Sequence, residues 1–143
     1  DRSDVKVLFD SGEIPGEIVD MVAVGRDSLE KPGADKFVKA VAEAFYEVNR
    51  ELEESERADE VLVALGKKFS NLGLEDMRLV VQQTVFYQSP EEARALFGGD
   101  EFKQTMQTVT DFCTSHDLVS DPSTGFGPDD VDVKLRFDAS YID

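Results

Sequence analysis

This 143-residue sequence predicts an α/β fold that is mostly helical, with only a few strands. Three observations carry that expectation. Apolar residues recur at spacings of three and four through most of Ala34–His116, the period of helices that bury one face. Ile18 to Val24 is an apolar run broken only by Asp20, and a second apolar segment, Val5–Phe9, precedes it across a turn. Near the end, Val131, Val133, Leu135 and Phe137 alternate with Asp132, Lys134 and Arg136, the pattern of a half-buried strand over 131–137.

In chain order, Val5, Val7 and Phe9 alternate with Lys6 and Leu8 until Asp10-Ser11-Gly12 halts the run. A strand is expected over 5–9. Pro15-Gly16 closes the turn, and 18–24 is expected as a strand buried on both faces. The polar stretch Arg26–Gly33 ends in Pro32-Gly33 and reads as a connection. A first helix is expected from Ala34 to Glu54, with Phe37, Val41, Phe45, Val48 and Leu52 on its inner face and Val38, Ala42 and Ala44 widening it. A second spans Ala58–Phe69, with Val61, Leu62, Leu65 and Phe69 inward, and stops at Asn71-Leu72-Gly73. A third covers Leu74–Gln83. Thr84–Gln88 has the β-branched and aromatic residues of an extended segment. Ser89-Pro90-Glu91-Glu92 then marks a helix start, with Ser89 as N-cap, Pro90 in the first turn and Glu92 completing a capping box. Gly98-Gly99 ends that helix, and a last one runs from Asp100 to His116 with Phe102, Met106, Val109 and Cys113 as its stripe. Val119–Pro128 reads as loop.

Length fits one domain over 1–143, long enough for a single core. Acids outnumber bases by 31 to 15, and the net charge is −16. Such a field opposes binding to nucleic acid and to anionic membranes, whose phosphates need positive charge. The single cysteine, Cys113, excludes an internal disulfide and a cysteine-based zinc site. No apolar run is long enough to span a bilayer. The sequence opens at Asp1, without methionine and without a signal peptide, so a processed product or a piece of a longer chain is expected.

Catalytic and metal chemistry find little support. Cys113 and His116 are three apart on one helix, yet no second cysteine or histidine completes a tetrahedral zinc site. Asp129, Asp130 and Asp132 lack the ligand spacing of a calcium loop and read as solvated acids. No nucleophile elbow or phosphate-cradling glycine loop is present. A non-enzymatic protein without cofactor or metal is expected. The turn Asp10–Glu17 stands apart, because strand ends are where α/β sheets expose backbone N–H groups and bind ligands; a plain connecting turn is the equal alternative.

The segment Phe9-Asp10-Ser11, with Ile14-Pro15-Gly16-Glu17-Ile18 and Asp20 following, closely resembles periplasmic solute-binding proteins of the nitrate, sulfonate, taurine and urea ABC-importer type. The resemblance continues through Phe37–Val48, Thr84–Tyr87 and Ser89–Ala93, and closes on Leu135-Arg136-Phe137-Asp138-Ala139-Ser140-Tyr141. It implies a type II periplasmic-binding fold, of which this chain is similar only to the C-terminal part; the family has two α/β lobes and a cleft between them. By that resemblance Val5–Phe9 ends the second lobe, Asp10–Gly16 is the hinge crossover, and Ile18–Val24 returns to the first lobe's sheet. Ser11, Gly12, Glu13, Pro15 and Gly16 would border the cleft. Ser11 would offer its hydroxyl, Gly12 a close-approaching N–H, and Pro15-Gly16 the hinge shape. Thr84, Phe86 and Tyr87 match a further family-like stretch, though structural packing is the stronger reading of them. The implied partners are a small polar solute and a membrane permease, in a periplasmic setting. The strands would then lack their neighbours. Either a missing N-terminal part supplies them, or a second copy does, as in a helical interaction module that has kept part of the fold.

Overall fold

The structure, a computed structural model, describes residues 4–54 and 56–142. Its helices are α1 (Arg26–Leu29), α2 (Ala34–Glu54), α3 (Ala58–Phe69), α4 (Leu74–Gln83), α5 (Pro90–Gly98) and α6 (Asp100–Ser115). Its strands are β1 (Thr124–Phe126) and β2 (Leu135–Phe137), and 3-10 turns occupy Ser11–Glu13 and Ala139–Tyr141. The chain is thus mostly helical, as expected. Its internal contacts fall into two units that meet at Lys31 and Pro32.

In the first unit the expected strands do not form. Val5–Phe9 and Ile18–Val24 are neither helix nor strand, and among the described residues they carry no backbone hydrogen bond. The physical reason is simple: a strand exists only through its neighbour's N–H and C=O groups, and no described segment supplies them. Side chains fare the same way. Every described residue before Pro32 is exposed, apart from the half-buried Val19 and Leu29. Arg26–Leu29, expected as connection, makes one helical turn that starts at Gly25.

The second unit holds the core. Helix α2 packs on α3 and α3 on α4; α5 packs on α6, and the C-terminal 3-10 turn rests on α2 and α5. The ends of α3 are favourable for its dipole, with Asp59 and Glu60 in the first turn and Lys67 and Lys68 in the last. It closes at Ser70, whose hydroxyl donates to the Gly66 carbonyl at 3.3 Å, and Asn71 turns the chain at φ 54°. Gly66 is buried where α3 meets α4. A β-carbon there would lie 2.6 Å from the Leu72 carbonyl oxygen and 2.7 Å from Met77 Cγ. Only glycine fits.

The start of α5 follows its sequence closely. Ser89 Oγ accepts from the Glu92 N–H at 3.3 Å, and Pro90 occupies the first turn. The Glu92 carboxylate accepts from the Gln88 N–H at 2.7 Å, one residue earlier than a standard capping box. The α5–α6 corner and both strands share an aromatic cluster. Phe102 stands edge-on to Phe137 at 5.0 Å between centroids and to Phe126 at 6.1 Å, and Phe97 tilts against both Phe102 and Phe137. Aromatic pairs at these separations add about 0.5–1.5 kcal/mol each beyond their buried area.

Strand β2 is shorter than the expected 131–137, and its partner β1 lies within the segment expected as loop. β1 and β2 pair in parallel, Thr124 opposite Leu135 and Phe126 opposite Phe137. So short a parallel connection works because side chains close it. Asp130 Oδ2 accepts from the Phe126 N–H at 2.6 Å, and the Ser123 carbonyl accepts from the Lys134 and Leu135 N–H groups. Gly125 is buried against Asp130, where a β-carbon would sit 2.5 Å from the aspartate Cβ.

The inner face of α2 differs in part from the expected one. Val38, Val41, Ala42 and Leu52 are half-buried, as expected, but Phe37, Phe45 and Val48 are exposed, Phe37 to 70%, and the buried residues are Tyr46 and Asn49, which lie outside the expected face. Its most buried positions therefore lie to one side of the stripe of strongest hydrophobicity, which the half-buried residues still overlap. Its neighbours, α3 and the C-terminal 3-10 turn, set that orientation. Phe69, expected inward, is likewise exposed, with Lys68 Nζ 5.8 Å from its ring centroid. Leu62 and Phe102 are buried as expected.

Candidate functional site

The turn Asp10–Gly16 is built from its own backbone. Asp10 is extended (φ −144°, ψ 176°), and its Oδ1 accepts from the Gly12 N–H at 2.9 Å. Its carbonyl accepts from the Glu13 N–H at 3.1 Å, and the Ser11 and Ile14 carbonyls accept from Ile14 and Glu17 at 3.2 Å each. This is the side-chain-to-backbone closure that aspartate favours two residues ahead of its partner. Gly12 is fitted tightly to it, since a β-carbon would lie 2.9 Å from Asp10 Oδ1. Gly16 adopts φ 82°, a left-handed conformation that glycine reaches without strain.

These contacts divide the expected roles. The Gly12 N–H, expected to approach a ligand, is already engaged by Asp10. The Ser11 hydroxyl has no partner among the described residues and is exposed, so it can donate to or accept from a ligand. Glu13 is exposed beside it. Pro15 and Gly16 set the exit of the turn and supply no side-chain chemistry.

Thr84, Phe86 and Tyr87 lie in the second unit. Thr84 Oγ1 donates to the Val80 carbonyl at 2.7 Å, which closes the end of α4. The Phe86 ring leans on Phe45 at 6.5 Å. Both therefore have structural uses, and Tyr87 is half-buried beside them in sequence. A shallow groove along α2 is lined by Glu47, Arg50, Glu51 and Glu54, and none of the expected site residues line it.

Cys113 is a half-buried free thiol. His116 stacks on Phe112 at 4.0 Å, and its Nδ1 lies 2.9 Å from the Phe112 carbonyl, which closes the C-terminal end of α6. Among the described residues no group of three metal-ligating side chains is gathered. Asp130 of the 129–132 acids holds the β1 backbone, as above.

Sequence reading missed a polar cluster at the C-terminal segment. Arg94 Nη1 donates to the Ile142 carbonyl, and Nη2 pairs with Glu91 at 3.1 Å. Burial raises the Tyr46 phenol above its ordinary pKa, against the opposing effect of the Arg94 charge. Asn49, only 4% exposed, has an amide nitrogen without a hydrogen-bond partner among the described residues. Arg136 pairs with Asp138 at 3.3 Å, and Asp138 Oδ1 accepts from the Ser140 N–H to cap the last 3-10 turn. The signal was present in the sequence: Asp-Ala-Ser is a side-chain-capped turn pattern. Compared with known proteins, the chain gives no match to a family model, a curated protein or a solved structure.

Proposed function

We propose that this chain is the C-terminal part of a solute-binding component of an ABC-type importer. Its solute is a small polar molecule containing nitrogen or sulfur, such as taurine, another sulfonate, nitrate or urea. The reading is supported most by one arrangement. Among the described residues, a tightly closed turn carries a Ser11 hydroxyl without a partner, and both flanks are apolar segments without backbone partners. Such flanks are what a crossover between two sheets leaves when the sheets are elsewhere. Closure of two lobes would then bring the opposite wall of the cleft over the turn, and the closed form would be recognised by a membrane permease. Ser11 would hydrogen-bond the solute's oxygen or amide, while Asp10 and Gly12 keep the turn in shape. The protein would work outside the cytoplasm, without cofactor or catalysis.

A second reading is favoured by the same exposed flanks. A protein that kept this part of the fold without a transport solute would use them to bind a partner, as an interaction module. Thermal unfolding of the native gene product with each solute separates the two. A receptor gains about 2.7 kcal/mol when solute is a hundredfold above its dissociation constant, and Ser11→Ala reduces that gain. Unchanged unfolding with every solute refutes the transport reading.

A further inference from the structure

We propose that α2 docks a second helix, an amphipathic polypeptide segment with an apolar seam and lysine or arginine beside it. The inference goes beyond the solute-binding reading, because none of the turn residues lies on this helix. Phe37, Val41, Ala44, Val48 and Glu51 follow one another at spacings of four, three, four and three. That is the repeat of a seam that a facing helix fills, side chain between side chains. A strand edge repeats every two residues and cannot follow it. The seam is open: Phe37, Ala44 and Val48 are exposed and Val41 and Glu51 half-buried, while the core side of α2 holds Tyr46 and Asn49. Phe45 stands beside it, also exposed and backed by the Phe86 ring at 6.5 Å. The helix runs for 21 residues, about 30 Å, long enough for a partner of three heptads.

Charge fixes the chemistry of the occupant. The seam is apolar from Phe37 to Val48 and acidic beyond it, with Glu51 in line and Glu47 and Glu54, seven apart, along one flank. These three acids line the open groove of α2, where Arg50 is the base among the lining residues. Flanking positions of a helix pair set partner choice by charge, so acids here select bases opposite. The helix does not neutralise them itself. Glu47 and Glu51 are like charges four apart, and the last turn carries Glu51, Glu53 and Glu54 without a base, at the end where the helix dipole favours cations. A basic partner relieves that conflict and an acidic one worsens it. A second copy of this chain fits poorly: in parallel register it sets Glu51 against Glu51 within the seam, on bodies of net charge −16 each.

The test uses a blocked peptide of three Leu-Gln-Ala-Leu-Lys-Ala-Lys repeats, its counterpart with glutamate in place of lysine, and a lysine peptide of the same composition in scrambled order. Each is titrated calorimetrically into the whole chain at about 0.15 M salt, where long-range attraction is screened. The ordered lysine peptide is expected to bind saturably and to slow hydrogen exchange within 37–54; the other two are expected not to. Val48→Ser removes an apolar contact of the seam, and Glu47→Lys with Glu54→Lys reverses its flank. All three positions are exposed, so circular dichroism is expected to stay that of the parent. Val48→Ser is expected to weaken the lysine peptide about tenfold, and the reversal to weaken it as much while admitting the glutamate peptide. Failure of the lysine peptide to bind, equal binding of the scrambled or glutamate peptide, an affinity that either variant leaves unchanged, or protection confined to residues outside α2 would overturn the inference. So would concentration-dependent self-association that Val48→Ser abolishes, which would make a second copy the occupant. A solute titration that fails while the lysine peptide binds refutes the transport reading alone.

Discussion

Replacing Gly66 by alanine tests the packing of the second unit most sharply. The new methyl would lie 2.6 Å from the Leu72 carbonyl oxygen and 2.7 Å from Met77 Cγ, both far inside van der Waals contact. One neighbour is backbone and the other lies near the root of its side chain, so neither yields by a simple rotamer change. Overpacking of this kind costs about 1–3 kcal/mol. Against it stands the helix preference of alanine over glycine, about 1 kcal/mol in an exposed helix interior. The net expectation is a loss of up to about 2 kcal/mol. Gly98→Ala in α5 is the matched control, because nothing lies within 4 Å of its added β-carbon. There alanine is expected to be neutral or stabilising by up to about 1 kcal/mol. Urea unfolding followed by circular dichroism measures both, with the slope checked for constancy so that midpoints report stability. A Gly66→Ala protein stabilised as much as Gly98→Ala, or more, would refute the α3–α4 contact.

Four further outcomes follow from the same structure. Phe102→Ala, at the centre of the aromatic cluster and 4% exposed, is expected to lose about 3–5 kcal/mol, whereas Phe37→Ala is expected to change stability by less than about 0.5 kcal/mol. Equal losses would show that the hydrophobic stripe of α2 is buried after all. Asn49→Leu removes a buried amide donor that has no partner among the described residues and is expected to leave the melting temperature unchanged or raised; a fall of several degrees would reveal a partner for that amide. The Ser123 hydroxyl, and then its N–H, holds the Asp121 carboxyl below its ordinary pKa of 3.8. A depressed carboxylate contributes stability above its unfolded pKa and loses it as pH falls through the folded one. The difference between the parent and Asp121→Asn is therefore expected at neutral pH and should vanish in acid below that lowered value; a difference that grows in acid would contradict the assignment.

The helices were legible because their information is local. Ser89-Pro90 and the Gly98-Gly99 pair punctuate the chain by caps and dihedral preference, and the stripes of α3 and α6 repeat over several turns. What depends on a distant partner was not legible. Val5–Phe9 and Ile18–Val24 have strand composition, but a strand is a property of two segments, and the second is not among the described residues. The inner face of α2 was partly misplaced because Tyr46 and Asn49 meet neighbours that the helix's own hydrophobicity does not encode. Thr124-Gly125-Phe126 read as loop because a buried glycine looks like a turn signal until Asp130 fills the space beside it. The candidate turn was readable as a turn from Asp10-Ser11-Gly12 and Pro15-Gly16. Its inner hydrogen bond was not anticipated; that bond engages the Gly12 amide and leaves the proposed ligand contact to the Ser11 hydroxyl.

The central claim is that the Asp10–Gly16 turn meets a small polar solute. Calorimetric titration of the native gene product with taurine, an alkyl sulfonate, nitrate and urea tests it most directly, in parallel with Ser11→Ala. The account predicts saturable binding of one of them and a loss of about 0.5–1.5 kcal/mol, the net value of one hydrogen bond, in the alanine protein. That corresponds to a weakening of roughly two- to thirteenfold. Absence of heat with every solute, or identical affinity in the two proteins, would contradict it.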